Sequence, residues 1–191
     1  GERTKLVVID HVTSQTGMIL PVAAIAAACR ERGVDVLVDG AHAPGQIELD
    51  LGTLGATYYT ANCHKWLCTP KGSAFLWVRR DRQDRIPPLV ISHGRNSRRD
   101  DRSRFRIEHD WQGTADPSPW LTVPFALTYL EGLVDGGWPA LRERNHDMVV
   151  RGRQKLLDVL GIDAPCPRTM LGSLASVPLP DAMPGPQPLY L

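Results

Sequence analysis

Residues 5–39 read KLVVIDHVTSQTGMILPVAAIAAACRERGVDVLVD, and this stretch decides the fold class. Residues 5–9 form a short β-branched run of the kind that fills a strand buried in a parallel sheet. Residues 11–17 form a polar loop at its carboxyl end. Pro21 then opens an alanine-rich segment that Gly33 closes. Proline suits a first helical turn, alanine is the strongest helix former, and glycine suits the position past the last turn. Residues 35–38 are the next apolar run, ending at Asp39. Strand, loop, helix, strand is the βαβ unit of an α/β sheet.

Outward from this unit, residues 43–54 are turn-rich, with room for one short helical turn. Residues 57–61 are a third β-prone run leading straight into His64-Lys65. Residues 73–78 are a fourth, and Pro70-Lys71-Gly72 supplies a turn for an antiparallel return. Residues 79–105 look irregular. Six arginines and two aspartates fall between Arg95 and Arg106, which predicts a solvated, mobile loop or a rim that attracts an anionic substrate. Residues 118–133 predict an amphipathic helix that Pro124 either kinks or starts anew, and 139–160 a longer one ended by Gly161. Residues 172–179 read as a strand. The five prolines and glycines from Pro180 to Pro188 exclude regular structure there.

Composition narrows the function classes. Of the 191 residues, 42% are hydrophobic and 23% charged, as in an ordinary globular protein. The net charge of +1 gives no general attraction to nucleic acid or to an anionic membrane surface. No apolar run is long enough to span a bilayer, and the opening GERTKLVVID lacks the layout of a signal peptide. The four cysteines are too dispersed for a disulfide framework, so a reducing, cytoplasmic compartment is expected.

The chemistry centres on Lys65 and Asp39. Lys65 follows a strand and precedes the apolar Trp66-Leu67-Cys68. A buried ammonium without a partner is costly, which leaves an ion pair, a depressed pKa, a Schiff base or a side chain that reaches solvent. Asp39 lies 26 positions earlier, at the carboxyl end of a parallel strand, where α/β sheets place ligands. A carboxylate beside a pyridine nitrogen keeps it protonated, and a protonated ring is the electron sink for a carbanion at a substrate Cα. A Schiff-base lysine and a carboxylate on neighbouring strand ends are what a pyridoxal phosphate enzyme requires.

The segments DGAHAPGQ (39–46) and TANCHKW (60–66), with their spacing, resemble the class V aminotransferase family of fold-type I pyridoxal phosphate enzymes. The resemblance is nearest to the isopenicillin N epimerase-like branch and continues through WQGTADPSPW and GSLASVPLP. It implies an aspartate aminotransferase-like large domain, a three-layer α/β/α sandwich with a mostly parallel sheet. Residues 1–137 would be the C-terminal half of that domain. Residues 138–191 would be the interdomain helix and the start of a small α+β domain, so the chain reads as a fragment lacking the phosphate loop, the ring-stacking residue and the carboxylate-binding arginine. By the same resemblance, Lys65 forms the Schiff base, Asp39 pairs with the ring nitrogen and His42 lies near the phenolic oxygen. Asn62 and His64 would bind the phosphate, and Thr13, Ser14 and Gln15 would reach toward cofactor or substrate. Gly113 and Thr114 would reach the phosphate of a partner subunit, which implies a homodimer with shared active sites.

Competing chemistries find little support. Cys63, His64 and Cys68 have no second ligand pair for zinc. Phosphate-loop, dinucleotide-binding and nucleophile-elbow patterns are absent. The expectation is a pyridoxal phosphate enzyme acting at the Cα of an amino acid or its derivative, by epimerisation or transamination. A C–S lyase or cysteine desulfurase, for which Cys166 is the one candidate thiol, is the alternative. A non-catalytic binding or scaffold protein is the alternative of another class.

Overall fold

The structure is a computed structural model and describes residues 1–179. Strands β1 (Leu6–Asp10), β2 (Asp35–Asp39) and β3 (Tyr58–Asn62) run parallel, and β4 (Ala74–Val78) returns antiparallel beside β3. Helix α1 (Val22–Arg30) makes the crossover from β1 to β2, and the single turn α2 (Leu51–Leu54) lies between β2 and β3. Gly33, at φ +65°, ends the first crossover, with its N–H on Arg30 O and the Val34 N–H on Cys29 O. The expected α/β class and βαβ unit are therefore present.

Alternation along the strands sorts the two faces of the sheet. Val36, Val38, Tyr59 and Ala61 point to the face covered by α1, where they pack with Val22 and Ala26. Each fully buried valine there contributes roughly 1.5–3 kcal/mol of hydrophobic stabilisation. The other face presents Leu6, Val8 and Leu76, with Val8 65% exposed, apolar side chains of the kind a second helical layer covers.

The segment after β4 is more ordered than its charge suggests. Two 3-10 stretches (Arg80–Arg85 and His93–Asn96) precede α3 (Arg104–His109). Glu108 is buried at the centre of this region. Arg104 Nε donates to its Oε1 at 2.6 Å, Arg95 lies 3.6 Å from the same oxygen, and Ser92 Oγ donates to its backbone O. Arg82 reaches back to Asp35 at 3.1 Å. The expected irregular, solvated stretch thus contains short helical turns, while Arg95, Arg99, Arg102 and Arg106 remain exposed in their ion pairs.

Residues 118–133 divide into α4 (Ser118–Leu121) and α5 (Val123–Glu131), with Pro124 in the first turn of the second, as its missing N–H requires. Helix α6 (Gly137–Leu160) packs on α5 and ends at Gly161, φ +65°. None of the helices among the described residues is long and apolar enough to cross a membrane.

The expected strand at 172–179 does not form. Its backbone docks on loops instead of a ladder. Ser173 N–H donates to Gln46 Oε1 at 2.9 Å, and Ser176 Oγ to Thr16 O at 3.1 Å. Alternating apolar residues give a strand only where a neighbouring strand offers its edge. The expectation for 180–191 lies outside the described residues.

Candidate active site

The carboxyl ends of the three parallel strands converge on one place, as open α/β sheets require of a ligand site. Asp10 ends β1 and Asp39 ends β2, and the two are register partners. Asp39 Oδ1 accepts the Ala41 N–H at 2.9 Å, an Asx turn that fixes the carboxylate. Behind it, Gly40 crosses the ring of the fully buried Tyr59, whose hydroxyl lies 2.9 Å from His11 Nδ1.

The loop after β3 presents the lysine. Cys63 N–H donates to Ser73 O, extending the β3–β4 ladder by one residue, and the Cys68 N–H closes back on Lys65 O at 3.3 Å. Cys68 takes φ +55°, a conformation disfavoured without glycine. The 43–47 turn packs beneath, where a Cβ on Gly45 would lie 2.6 Å from Trp66 O. Lys65 itself is half-buried, and Cys68 is exposed.

Lys65 Nζ lies 3.0 Å from His42 Nε2. On the other side of the ring, Trp66 Nε1–H donates to His42 Nδ1 at 3.3 Å. Gln46 Nε2 donates to His42 O at 2.7 Å and fixes the histidine backbone. Burial first, and Lys65 second, hold the His42 imidazole below its ordinary value, and they outweigh the opposing pull of Asp39 and Asp10. Lys65, His42, Asp39 and Asp10 thus form one electrostatic neighbourhood.

The other expected residues fall into two groups. Asn62 ends β3 and His64 follows it, so both flank the lysine. His64 Nδ1 is buried with no hydrogen-bond partner among the described residues. Thr13, in contrast, spends its hydroxyl on the loop, contacting Thr16 Oγ1 and accepting the Met18 N–H at 2.9 Å. Ser14 and Gln15 are exposed. Gly113, at φ +139°, and Thr114 line a cavity of about 660 Å³ with Phe75, Phe105, Trp111 and Trp120. Among the described residues no hydrogen bond joins Thr13, Ser14, Gly113 or Thr114 to Lys65, His42 or Asp39.

The residues present fit pyridoxal phosphate. An amine, a fixed carboxylate and an imidazole meet at the strand ends, and the unpartnered His64 Nδ1 suits an anionic oxygen. Leaving such a group unsatisfied costs about 1–3 kcal/mol, which a phosphate oxygen would offset. Sequence reasoning missed Trp66 and Asp10. Asp10 was available by analogy, since β1 and β2 both end in aspartate. The Trp66 contact depends on loop geometry that spacing does not encode.

Burial also sorts the thiols. Cys63 is 4% exposed, and burial pushes its thiol up. Cys166 is buried, with Arg153 Nη1 donating to its backbone O at 2.9 Å and lying 3.4 Å from its Sγ. A disulfide reagent is expected to modify Cys68 first and Cys29 more slowly. Cys63 and Cys166 should react only once the chain unfolds, and fast labelling of Cys166 in a mapped digest would contradict this burial.

The buried histidine makes stability pH-dependent. Burial lowers the pKa of His11 below its ordinary 6.5. Above pH 6.5 neither state binds the proton and the stability contribution is complete. Below it the unfolded chain binds a proton that folded His11 resists, so stability falls until the folded pKa is passed. The slope is limited to about 1.4 kcal/mol per pH unit for one group. Urea midpoints should therefore drop from pH 7.5 to 5.5 in the native chain, and by less in His11→Gln. An equal drop in both would remove His11 as the cause.

Comparison with known proteins places these observations. The description "Aminotransferase class-V" matches residues 1–181. The putative L-cysteine desulfhydrase 1 of Oryza sativa subsp. japonica is 35% identical over 186 residues, covering 96% of this chain and 37% of that protein. The isopenicillin N epimerase of Amycolatopsis lactamdurans is 35% identical over 191 residues, covering 94% and 47%. The apo cysteine desulfurase of Thermococcus onnurineus NA1 superposes with TM-score 0.76 at 23% identity, over 94% of this chain and 45% of that one, and so supports the fold. The chain spans less than half the length of these relatives. With a match across nearly its whole length, the chain belongs to the class V aminotransferase family.

Proposed function

We propose that this chain carries the lysine side of the active site of a pyridoxal phosphate-dependent enzyme that acts at the Cα of an amino acid or amino-acid-derived substrate. The observation that carries the proposal is Lys65 Nζ set 3.0 Å from His42 Nε2, beside the strand end bearing Asp39. Lys65 would hold the cofactor covalently, Asp39 would hold the proton on its ring nitrogen, and His64 and Asn62 would face its phosphate. When bound, the cofactor supplies a conjugated ring that takes up the electron pair left by a broken bond at Cα. Lys65, released as a free amine, would hold the Cα proton on one face. A second copy of the chain would complete the site through Gly113 and Thr114.

Epimerisation and C–S lysis share this first proton removal, and relatives named for both are about 35% identical. The lyase is therefore the second reading. A desulfurase using Cys166 fits less well, since that thiol is buried against Arg153. The test is incubation of the full-length protein and pyridoxal phosphate with D- and L-amino acids in deuterated water. Cα deuterium in recovered amino acid supports epimerisation, keto acid supports transamination, and sulfide with pyruvate from cysteine supports lysis. No exchange and no product with any amino acid would overturn the enzymatic reading in favour of a binding or scaffold role.

A further inference from the structure

We infer that Trp66 is a positioning residue that holds His42 in a single tautomer, with the ring proton on Nε2 and aimed at Lys65 Nζ. An indole N–H donates and never accepts. Its contact with His42 Nδ1, at 3.3 Å, therefore requires a lone pair on Nδ1. A neutral imidazole with a lone pair on Nδ1 carries its proton on Nε2, the nitrogen 3.0 Å from Lys65. The opposite tautomer would set two N–H groups against each other at the indole, and so would the doubly protonated ring. Trp66 thereby adds a geometric reason for His42 to stay neutral, alongside burial.

The indole is well placed to select the tautomer. Trp66 is half-buried, and its carbonyl packs on the 43–47 turn, where Gly45 admits it only for lack of a Cβ. The His42 backbone is fixed independently through Gln46, which in turn accepts the Ser173 N–H. Ring and indole are thus set by separate anchors, and the hydrogen bond between them chooses the protonated nitrogen. The N–H so presented points at the amine that the proposed function uses. That use rests on the proposed function, whereas the tautomer does not.

The test is nitrogen NMR of the full chain labelled with ¹⁵N-histidine and free of cofactor, with position 42 assigned from His42→Gln. The expected native spectrum shows a protonated Nε2 and a bare Nδ1. In Trp66→Phe the Nε2–H to Nδ1–H ratio should fall about fivefold, the ratio that one neutral hydrogen bond of about 1 kcal/mol sustains. A native His42 protonated on Nδ1 overturns the inference whatever the variant does, as does a folded Trp66→Phe with an unchanged ratio. Should Trp66→Phe not fold, the native spectrum alone decides. Should covalent capture at Lys65 fail while the Nε2–H tautomer is found, the proposed function falls and this inference stands.

Discussion

Lys65→Ala is expected to abolish specific covalent capture of pyridoxal phosphate. In the native chain, borohydride added after the cofactor should leave a permanent adduct on the peptide containing Lys65. Lys5, Lys71 and Lys155 should show only the background expected of exposed amines. The expectation follows from placement. Lys65 is half-buried beside His42, itself in the field of Asp39 and Asp10, whereas a surface lysine is a strongly hydrated, mobile ammonium. A visible band in the untreated mixture should be weak, since the sequence motifs account for one side of the cofactor only. Mass analysis of the reduced digest detects capture that absorbance would miss. If the assembled enzyme uses Lys65 as its base, loss of proton transfer alone should lower turnover by about 10²–10⁴-fold. Equal labelling of all four lysines in the native chain would sink the assignment.

The two halves of this site differed in how far sequence disclosed them. Asp39 was legible because it terminates a β-branched run preceded by a helix, so its position at a strand's carboxyl end follows from periodicity. Lys65 was legible through its distance from Asp39 and the β-prone run before it. The contact between His42 and Lys65 was not, because it needs the Asx turn at Asp39 and the left-handed Cys68 to aim both side chains inward. Thr13 is a different case. The family resemblance pointed to it, and its hydroxyl accepts the N–H of Met18 from its own loop. In the arginine-rich segment composition disclosed the exposure of the side chains but not the short helical turns. Asp101 lies inside that stretch and Glu108 and Asp110 just beyond it, each paired with one of its arginines. Residues 172–179 misled through alternation, which specifies a strand's faces but not whether a neighbour offers an edge.

Gly40→Ala is expected to be the most destabilising single methyl in the site. An alanine Cβ at this position would lie 2.1 Å from Cε1 of Tyr59 and 2.2 Å from its hydroxyl oxygen. The tyrosine is fully buried, pinned by His11 at 2.9 Å and stacked over Phe75, so its ring has no rotamer to retreat to. Overpacking a rigid core costs typically about 1–3 kcal/mol, and a contact this short belongs at or above the upper end. Gly33→Ala provides the contrast. Gly33, unlike Gly40, has positive φ, but nothing lies within 4 Å of the added Cβ, so the cost is the backbone term alone, about 1–2 kcal/mol. Urea denaturation should therefore show a lower midpoint for Gly40→Ala than for Gly33→Ala, with m unchanged in both. The two also separate in function. Displacing Gly40 rotates the Asx turn that aims Asp39, so cofactor capture at Lys65 should weaken even where Gly40→Ala remains folded, while Gly33→Ala should capture normally. Should Gly40→Ala match Gly33→Ala in both midpoint and capture, Tyr59 would not be the rigid floor on which the carboxylate is set.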